Sequence, residues 1–280
     1  MTTRGDRPDE VARLIRSIEA STITPRELII VDQSPTGAMG RFGQLPEPPF
    51  EIQVIGLPGL QGCSLGRNTG LAVARGDYVT FPDDDCWYPP DALNHAVAHL
   101  ERHPDHAAIT GRPSWVGEGD AHATARFMRT AHSVAPRQAL RAGSEITLFL
   151  RTDLLRKSGG FDEQFGAGSP SPWQAGESVL LITGMLRRGF TVWFDPLLTV
   201  NHPRPTHVPA KAIGYQRGVG CALRVSGLHW MVGAVFIARP AIGAGLAMAS
   251  CKPDLAQVRW AAARSRWKGW SDGQHLKRPY

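Results

Sequence analysis

Cysteine is scarce and scattered. The four present, Cys63, Cys86, Cys221 and Cys251, form no C-x-x-C pair and no finger spacing. That excludes a disulfide framework and a zinc ribbon, and it fits a reducing compartment. The polar start, Met1-Thr2-Thr3-Arg4-Gly5-Asp6, carries no apolar signal region, so a cytoplasmic protein is expected. No internal repeat is visible. A helix-turn-helix, a zinc finger and an aromatic-studded strand pair are all lacking, so nucleic acid is not an expected partner despite the net charge of +6. Acids are nearly missing from the last eighty residues: residues 201–280 hold 12 Lys/Arg against 2 Asp/Glu, whereas residues 1–200 hold 19 against 23. Such a basic tail suits an anionic membrane surface. One element is also missing at the front. A helix leading to a parallel strand should follow an earlier strand, yet almost nothing precedes Pro8, so the opening strand reads as truncated.

What remains is an alternation of helices and strands, the α/β signature. Val11, Leu14, Ile15 and Ile18 recur at i, i+3, i+4 and i+7 behind Pro8, which predicts an amphipathic helix. Arg26 to Asp32 and Glu51 to Gly56 read as strands, and Arg67 to Arg75 as a helix. Further helices are expected from about Pro90 to Arg102 and from about Glu177 to Arg188. Glu145 to Arg151 and Thr191 to Asp195 read as strands, and a second extended piece follows to His202. The stretch from Trp115 to Arg141 has no clear period.

The chain is organised around Gly76-Asp77-Tyr78-Val79-Thr80-Phe81-Pro82-Asp83-Asp84-Asp85. Tyr78, Val79 and Phe81 are strand formers, so a short buried strand runs into three carboxylates. Ligands gather at the carboxyl ends of strands in an open α/β sheet. Strand alternation puts Asp83 and Asp85 on one face and Asp84 on the other. Paired hard oxygen donors suit Mg²⁺ or Mn²⁺, which leave coordination positions for water and substrate phosphates.

Five motifs in order then resemble the family-two inverting glycosyltransferases of GT-A fold found in bacterial surface-polysaccharide gene clusters. They are Thr3-Arg4 with Arg7-Pro8, Asp32-Gln33-Ser34, Leu65-Gly66-Arg67-Asn68-Thr69-Gly70-Leu71, the Gly76 strand with its D-x-D, and Gly160-Phe161-Asp162-Glu163. The resemblance covers about residues 1–205. It implies a Rossmann-like, mainly parallel sheet flanked by helices, acting on a nucleotide-diphosphate sugar. It assigns donor binding to Thr3, Arg4, Asp32 (at the nucleobase), Arg67, Asn68, Asp83 and Asp84. Asp162 and Glu163 fall on the acceptor side, and His202 takes the place of a third metal ligand beside Asp83 and Asp85. A divalent ion held by Asp85 would act as Lewis acid for the departing diphosphate. Arg67, with the helix N-terminus expected there, would add positive potential near the phosphates.

An inverting transfer needs a base for the acceptor hydroxyl. The family supplies it from an E-D pair, but here Glu177 is followed by Ser178, with Leu180 and Gly184 where a later Asp and Arg often stand. Glu177 is therefore the expected base. The alternative is a weak or inactive sugar-nucleotide-binding partner of an assembly system.

From Leu228 to Ser250 the chain is apolar and long enough to cross a bilayer, but Arg239-Pro240 interrupts it. A central Arg costs about 2.5–3.5 kcal/mol on insertion scales, and Pro disrupts the helix. The expectation is a re-entrant or in-plane helical hairpin broken at Pro240, on the inner face of the cell membrane, with a helical pair packed on the catalytic domain as the alternative. Arg259, Arg264, Arg266, Lys268, Lys277 and Arg278, with Trp260, Trp267 and Trp270, would meet the headgroups. The reading is a nucleotide-sugar-binding domain over 1–205, a helical membrane-associating tail over 206–280, and a glycan or lipid-linked glycan as acceptor.

Overall fold

The computed structural model describes residues 1–35, 48–116, 127–142, 144–203 and 209–276. Most of the expected Gln33 to Pro49 loop, the middle of the Trp115 to Arg141 stretch, and Lys277 and Arg278 lie outside the described residues. The chain divides into two compact units. One comprises Met1–Gln61, Leu65–Gly160 and Met185–Pro205; the other comprises Gly62–Ser64, Phe161–Gly184 and Thr206–Tyr280.

The first unit opens with a two-residue strand, β1 (Thr2–Thr3), where the sequence offered almost nothing ahead of Pro8. Helix α1 (Pro8–Glu19) follows and buries Val11, Leu14, Ile15 and Ile18, the stripe its spacing announces. Strands β2 (Glu27–Asp32) and β3 (Glu51–Gly56) come next, then helix α2 (Cys63–Val73). This helix starts a turn before the expected Arg67, so Arg67 acts through its side chain and not from the helix N-terminus. Strand β4 (Tyr78–Thr80) leads to α3 (Ala92–Arg102) and to the long β5 (His106–Val116). A short β6 (His132–Ser133) precedes β7 (Leu148–Arg151) and α4 (Thr152–Ser158). Residues Glu145–Thr147, expected as part of the strand, form a 3₁₀ turn ahead of β7. Strand β8 (Thr191–Pro203) completes the first unit, while helix α5 (Glu177–Arg187) belongs to the second as far as Gly184.

Strands β1, β2 and β3 are parallel, with Thr2 opposite Val31 and Thr3 opposite Asp32. The remaining five run in the order β4-β7-β5-β8-β6, with β7 and β6 antiparallel to their neighbours and β5 parallel to β8. A parallel bridge from Thr2 to Asp83 joins the two sheets at the acidic segment. The α1 stripe packs with Leu28, Ile30, Leu93, Ala96, Leu100, Ile109 and Phe149 in the main core. Between β5 and β8 the pairing jumps: Thr110 faces Phe194, but Arg112 faces Thr199, and residues 195–198 loop out opposite Gly111. A Cβ on Gly111 would lie 1.9 Å from the Leu198 carbonyl oxygen, so only glycine fits this close backbone approach.

The second unit holds helices α6 (Pro209–Val225), α7 (Trp230–Ala249) and α8 (Pro253–Asp272). Contrary to the expected break, α7 runs unbroken through Pro240. Proline withholds the N–H that would bond the Phe236 carbonyl four residues back. Arg266 of α8 supplies the missing donor: its Nη1 reaches the Phe236 oxygen at 2.6 Å, and its guanidinium lies 3.8 Å from the Phe236 ring centroid. Burial lowers the Arg266 pKa to about 10, with Arg239 adding to the effect, so the group stays cationic at neutral pH. Arg266→Ala is expected to leave that carbonyl bare and to cost about 1–3 kcal/mol. The shift in urea midpoint at unchanged slope measures it. Phe165, Trp173, Leu180, Cys221, Ala222 and Val225 form this unit's own apolar cluster.

Candidate active site

Three strand ends and two helices of the first unit, α1 through Arg13 and α2 through Arg67, converge on the acidic segment. Each acid holds a different partner. Asp83 accepts from Arg67 Nη2 at 3.0 Å, with Glu145 3.8 Å from the same nitrogen. Arg67 itself is buried, which makes its charge count for more than a surface guanidinium would. Asp84 accepts from Thr3 Oγ1 at 2.8 Å. Asp85 faces His202, Oδ1 to Nε2 at 3.3 Å. Arg7 straddles the last two acids, 3.1 Å from Asp84 and 2.6 Å from Asp85. Arg13 fixes the Asp85 backbone carbonyl at 2.8 Å and stacks over Trp87.

Crowding like charges in a partly enclosed site shifts their titration. Burial raises the Asp83 carboxyl above the usual carboxylate range; Arg67 opposes the rise, and Glu145 and Asp85 add to it. Burial likewise raises Asp84, against the Thr3 hydrogen bond and Arg7. Both shifts favour a bound cation, which stabilises the ionised forms.

Donor atoms of Asp83, Asp85, Cys86 and His202 lie within 4.8 Å of one another. Burial pushes the Cys86 thiol well above its ordinary pKa, and soft sulfur suits Mg²⁺ or Mn²⁺ less well than carboxylate oxygen does. The two carboxylates and the imidazole are a donor set that fits Mn²⁺ or Mg²⁺. The fold puts His202 there through β8, whose pairing of Trp115 with His202 also sets the Trp115 ring edge-on to the imidazole at 5.2 Å.

Asp32 ends β2 fully buried. Its Oδ1 accepts from Ser34 N at 2.8 Å, while Oδ2 has no hydrogen-bond partner among the described residues. An orphan buried carboxylate oxygen is costly unless a ligand N–H or O–H satisfies it. Of the other expected donor-side residues, Arg4 is exposed and joins none of these contacts. Asn68 lies against Gly160, whose positive φ lets the backbone approach it.

Glu177, Asp162 and Glu163 belong to the second unit. Glu177 opens α5 and is 5% exposed; the Cys63 thiol donates to its Oε1 at 3.6 Å. A Cβ on Gly166 would meet both Cys63 Sγ and the Glu177 carboxyl, so only glycine fits against this pair. Asp162 caps its own turn by accepting from Gln164 N at 3.0 Å, and Glu163 is exposed. Arg7, Arg13 and Glu145 were not among the residues singled out from sequence. Arg7 lay inside a motif that was quoted, but nothing local shows that its guanidinium turns back across seventy-seven residues to Asp84.

The strand order, the acids at the end of β4 and the histidine brought in by β8 define a GT-A glycosyltransferase fold. The mannosyltransferase PcManGT from Pyrobaculum calidifontis, solved in complex with GDP-Man and Mn²⁺, superposes with a TM-score of 0.64 at 17% identity, covering 95% of this chain and 85% of that one. Residues 2–162 match the sequence model of Glycosyl transferase family 2, and the chain belongs to that family. It is 28% identical over 224 residues to the succinoglycan biosynthesis protein ExoM of Rhizobium meliloti, covering 71% of this chain and 64% of that protein. It is 26% identical over 211 residues to the glucosyl-dolichyl phosphate glucuronosyltransferase of Haloferax volcanii, covering 70% of this chain and 65% of that protein. The chain thus spans just under two thirds of the length of these relatives.

Proposed function

We propose that this protein transfers a sugar from a nucleotide-diphosphate donor to a glycan or lipid-linked glycan in cell-surface polysaccharide synthesis, with inversion at the anomeric carbon. The observation that carries the reading is the Asp83, Asp85 and His202 set beside a buried Arg67. The names of the relatives support it: one is a succinoglycan biosynthesis protein, another a glucosyl-dolichyl phosphate glucuronosyltransferase, and the structural neighbour was solved with GDP-Man and Mn²⁺.

A divalent ion held by Asp83, Asp85 and His202 would supply Lewis-acid stabilisation to the diphosphate leaving group. Arg67 and Arg7 add fixed positive charge toward the same group. Asp32 Oδ2 accepts from the nucleobase, and Thr3 holds Asp84 so that the acidic turn keeps its shape. Glu177 takes the proton of the acceptor hydroxyl as the new bond to the anomeric carbon forms and the bond to the diphosphate oxygen breaks. Residues 1–205 serve donor binding and transfer.

Glu177→Gln keeps the size of the side chain and removes its basicity. Turnover is expected to fall about 10²–10⁴-fold, the span of a general base, with donor affinity retained. Release of nucleoside diphosphate with Mn²⁺ and the donor series measures it. The second reading, a binding partner without catalysis, draws on Ser178; it requires wild-type protein that binds the donor without turnover.

The tail over 206–280 is proposed to lie in the plane of the inner leaflet. Among the described residues α7 is the one helix long and apolar enough to cross a membrane, and only 17% of that stretch is buried. Trp230, Met231, Val235, Ile242 and Leu246 are exposed along it, and Trp260 and Trp267 are exposed on α8. Co-sedimentation with phosphatidylglycerol vesicles, but not with phosphatidylcholine alone, is expected. Val235→Asp with Leu246→Asp should abolish it.

A further inference from the structure

A second group of metal-competent side chains sits in the first unit, outside the acidic cluster. Histidine recurs every four residues, at His95 and His99 on α3, where helical periodicity places them on one face, and at His103 just past its end. After Pro104 and Asp105 the chain returns His106 to that face at the start of β5. The rings of His99, His103 and His106 pack together with centroids 4.6, 5.1 and 4.9 Å apart, and Trp193 of β8 stacks on His99 and His106. His99 and His106 are each 7% exposed. His99 Nε2 and His106 Nδ1 are 2.9 Å apart and share one hydrogen. The other nitrogen of His106, Nε2, faces Asp105 Oδ2 at 3.8 Å. Donor atoms of His103, Asp105 and His106 lie within 4.8 Å of one another.

We propose that His103, Asp105 and His106 bind a divalent transition-metal ion of the zinc class, with His99 as the residue that orients His106. In this arrangement His106 Nδ1–H donates to His99 Nε2, which fixes the tautomer and leaves the Nε2 lone pair as ligand. A lone pair and a carboxylate oxygen repel each other across 3.8 Å, and a cation between them reverses the sign. Two imidazoles with one carboxylate suit Zn²⁺ or Co²⁺ over Mg²⁺, which separates this site chemically from the one at Asp83 and Asp85. Two nitrogen ligands of one tetrahedral ion stand about 3.4 Å apart. Closure therefore asks for up to about 1.4 Å of movement, in which the half-buried His103 ring turns out of its stack on His106 and the Asp105 side chain, 75% exposed, follows. The bound ion clips the end of α3 to the first residue of β5, a link independent of any sugar chemistry.

The test uses the full chain after chelator treatment, with Co²⁺ as probe and Zn²⁺ as competitor. Asp85→Ala removes the other cluster from the readout. Parent and Asp85→Ala proteins are expected to show the visible absorption of nitrogen-ligated Co²⁺, displaced by Zn²⁺, and a rise in Tm with Zn²⁺. His103→Asn and His106→Asn should lose the band. His99→Gln should keep its shape and bind about 10–100-fold more weakly. Should His106→Asn fail to fold, Asp105→Asn, at an exposed position, is expected to weaken binding at least tenfold. No band in Asp85→Ala, or a band unchanged in His103→Asn and Asp105→Asn, overturns the proposal.

Discussion

Asp85→Ala is expected to abolish donor turnover at any Mn²⁺ concentration while leaving the protein folded. Asp85 faces His202 at 3.3 Å and Arg7 at 2.6 Å, so it is the carboxylate through which the imidazole and the guanidinium meet. Lewis-acid stabilisation of a leaving group is worth several kcal/mol, and each 1.36 kcal/mol is a decade in rate. A loss of about 10³-fold or more follows. Folding should survive because Arg13 binds the Asp85 backbone carbonyl and Arg7 keeps Asp84. Calorimetric titration with Mn²⁺ should show the affinity falling in step with the rate. Turnover within about tenfold of wild type would place the chemistry elsewhere.

Gly111→Ala is expected to lower both stability and metal affinity, although no atom of Gly111 belongs to the site. The added methyl would lie 1.9 Å from the Leu198 oxygen and 2.7 Å from its carbonyl carbon, distances that force two backbones apart. Overpacking of this kind costs about 1–3 kcal/mol, occasionally more. The displacement falls at the loop of residues 195–198, three residues before Asn201 and His202 come into register with Ser114 and Trp115. His202 therefore moves with the clash. Thermal unfolding should report a Tm lower by roughly 5–10 °C. The Mn²⁺ titration should weaken as well. A stability loss with unchanged Mn²⁺ affinity would show that His202 does not depend on this register.

Much of the first unit was legible. The stripe on α1, the strand ends and the acids after β4 follow from local periodicity and composition, and the structure brings Asp83, Asp85 and His202 together. What escaped notice was set by distant pairing. Arg7 and Glu145 join the acids through folds of the chain that no spacing encodes. The start of α2 at Cys63 was hidden by a glycine-rich run that reads as loop. The interruption at residues 195–198 carries a local signal, since Asp195-Pro196 starts a turn in which Asp195 Oδ1 accepts from Leu197 N, but the room that Gly111 leaves for it on the opposite strand carries none. The break expected at Pro240 failed because the compensating group comes from another helix. The His95, His99 and His103 spacing was visible but silent until His106 and Trp193 were seen to close on it.

The contact between Arg266 and the carbonyl orphaned by Pro240 makes two distant positions one thermodynamic unit. The guanidinium is a prosthesis for a hydrogen that the imino acid does not have. Wherever residue 240 regains an amide, the arginine becomes surplus at that carbonyl and its buried charge becomes a liability. A change at either position is therefore felt at the other, and a helix that looks fractured on paper runs on through its proline for as long as the pair is kept.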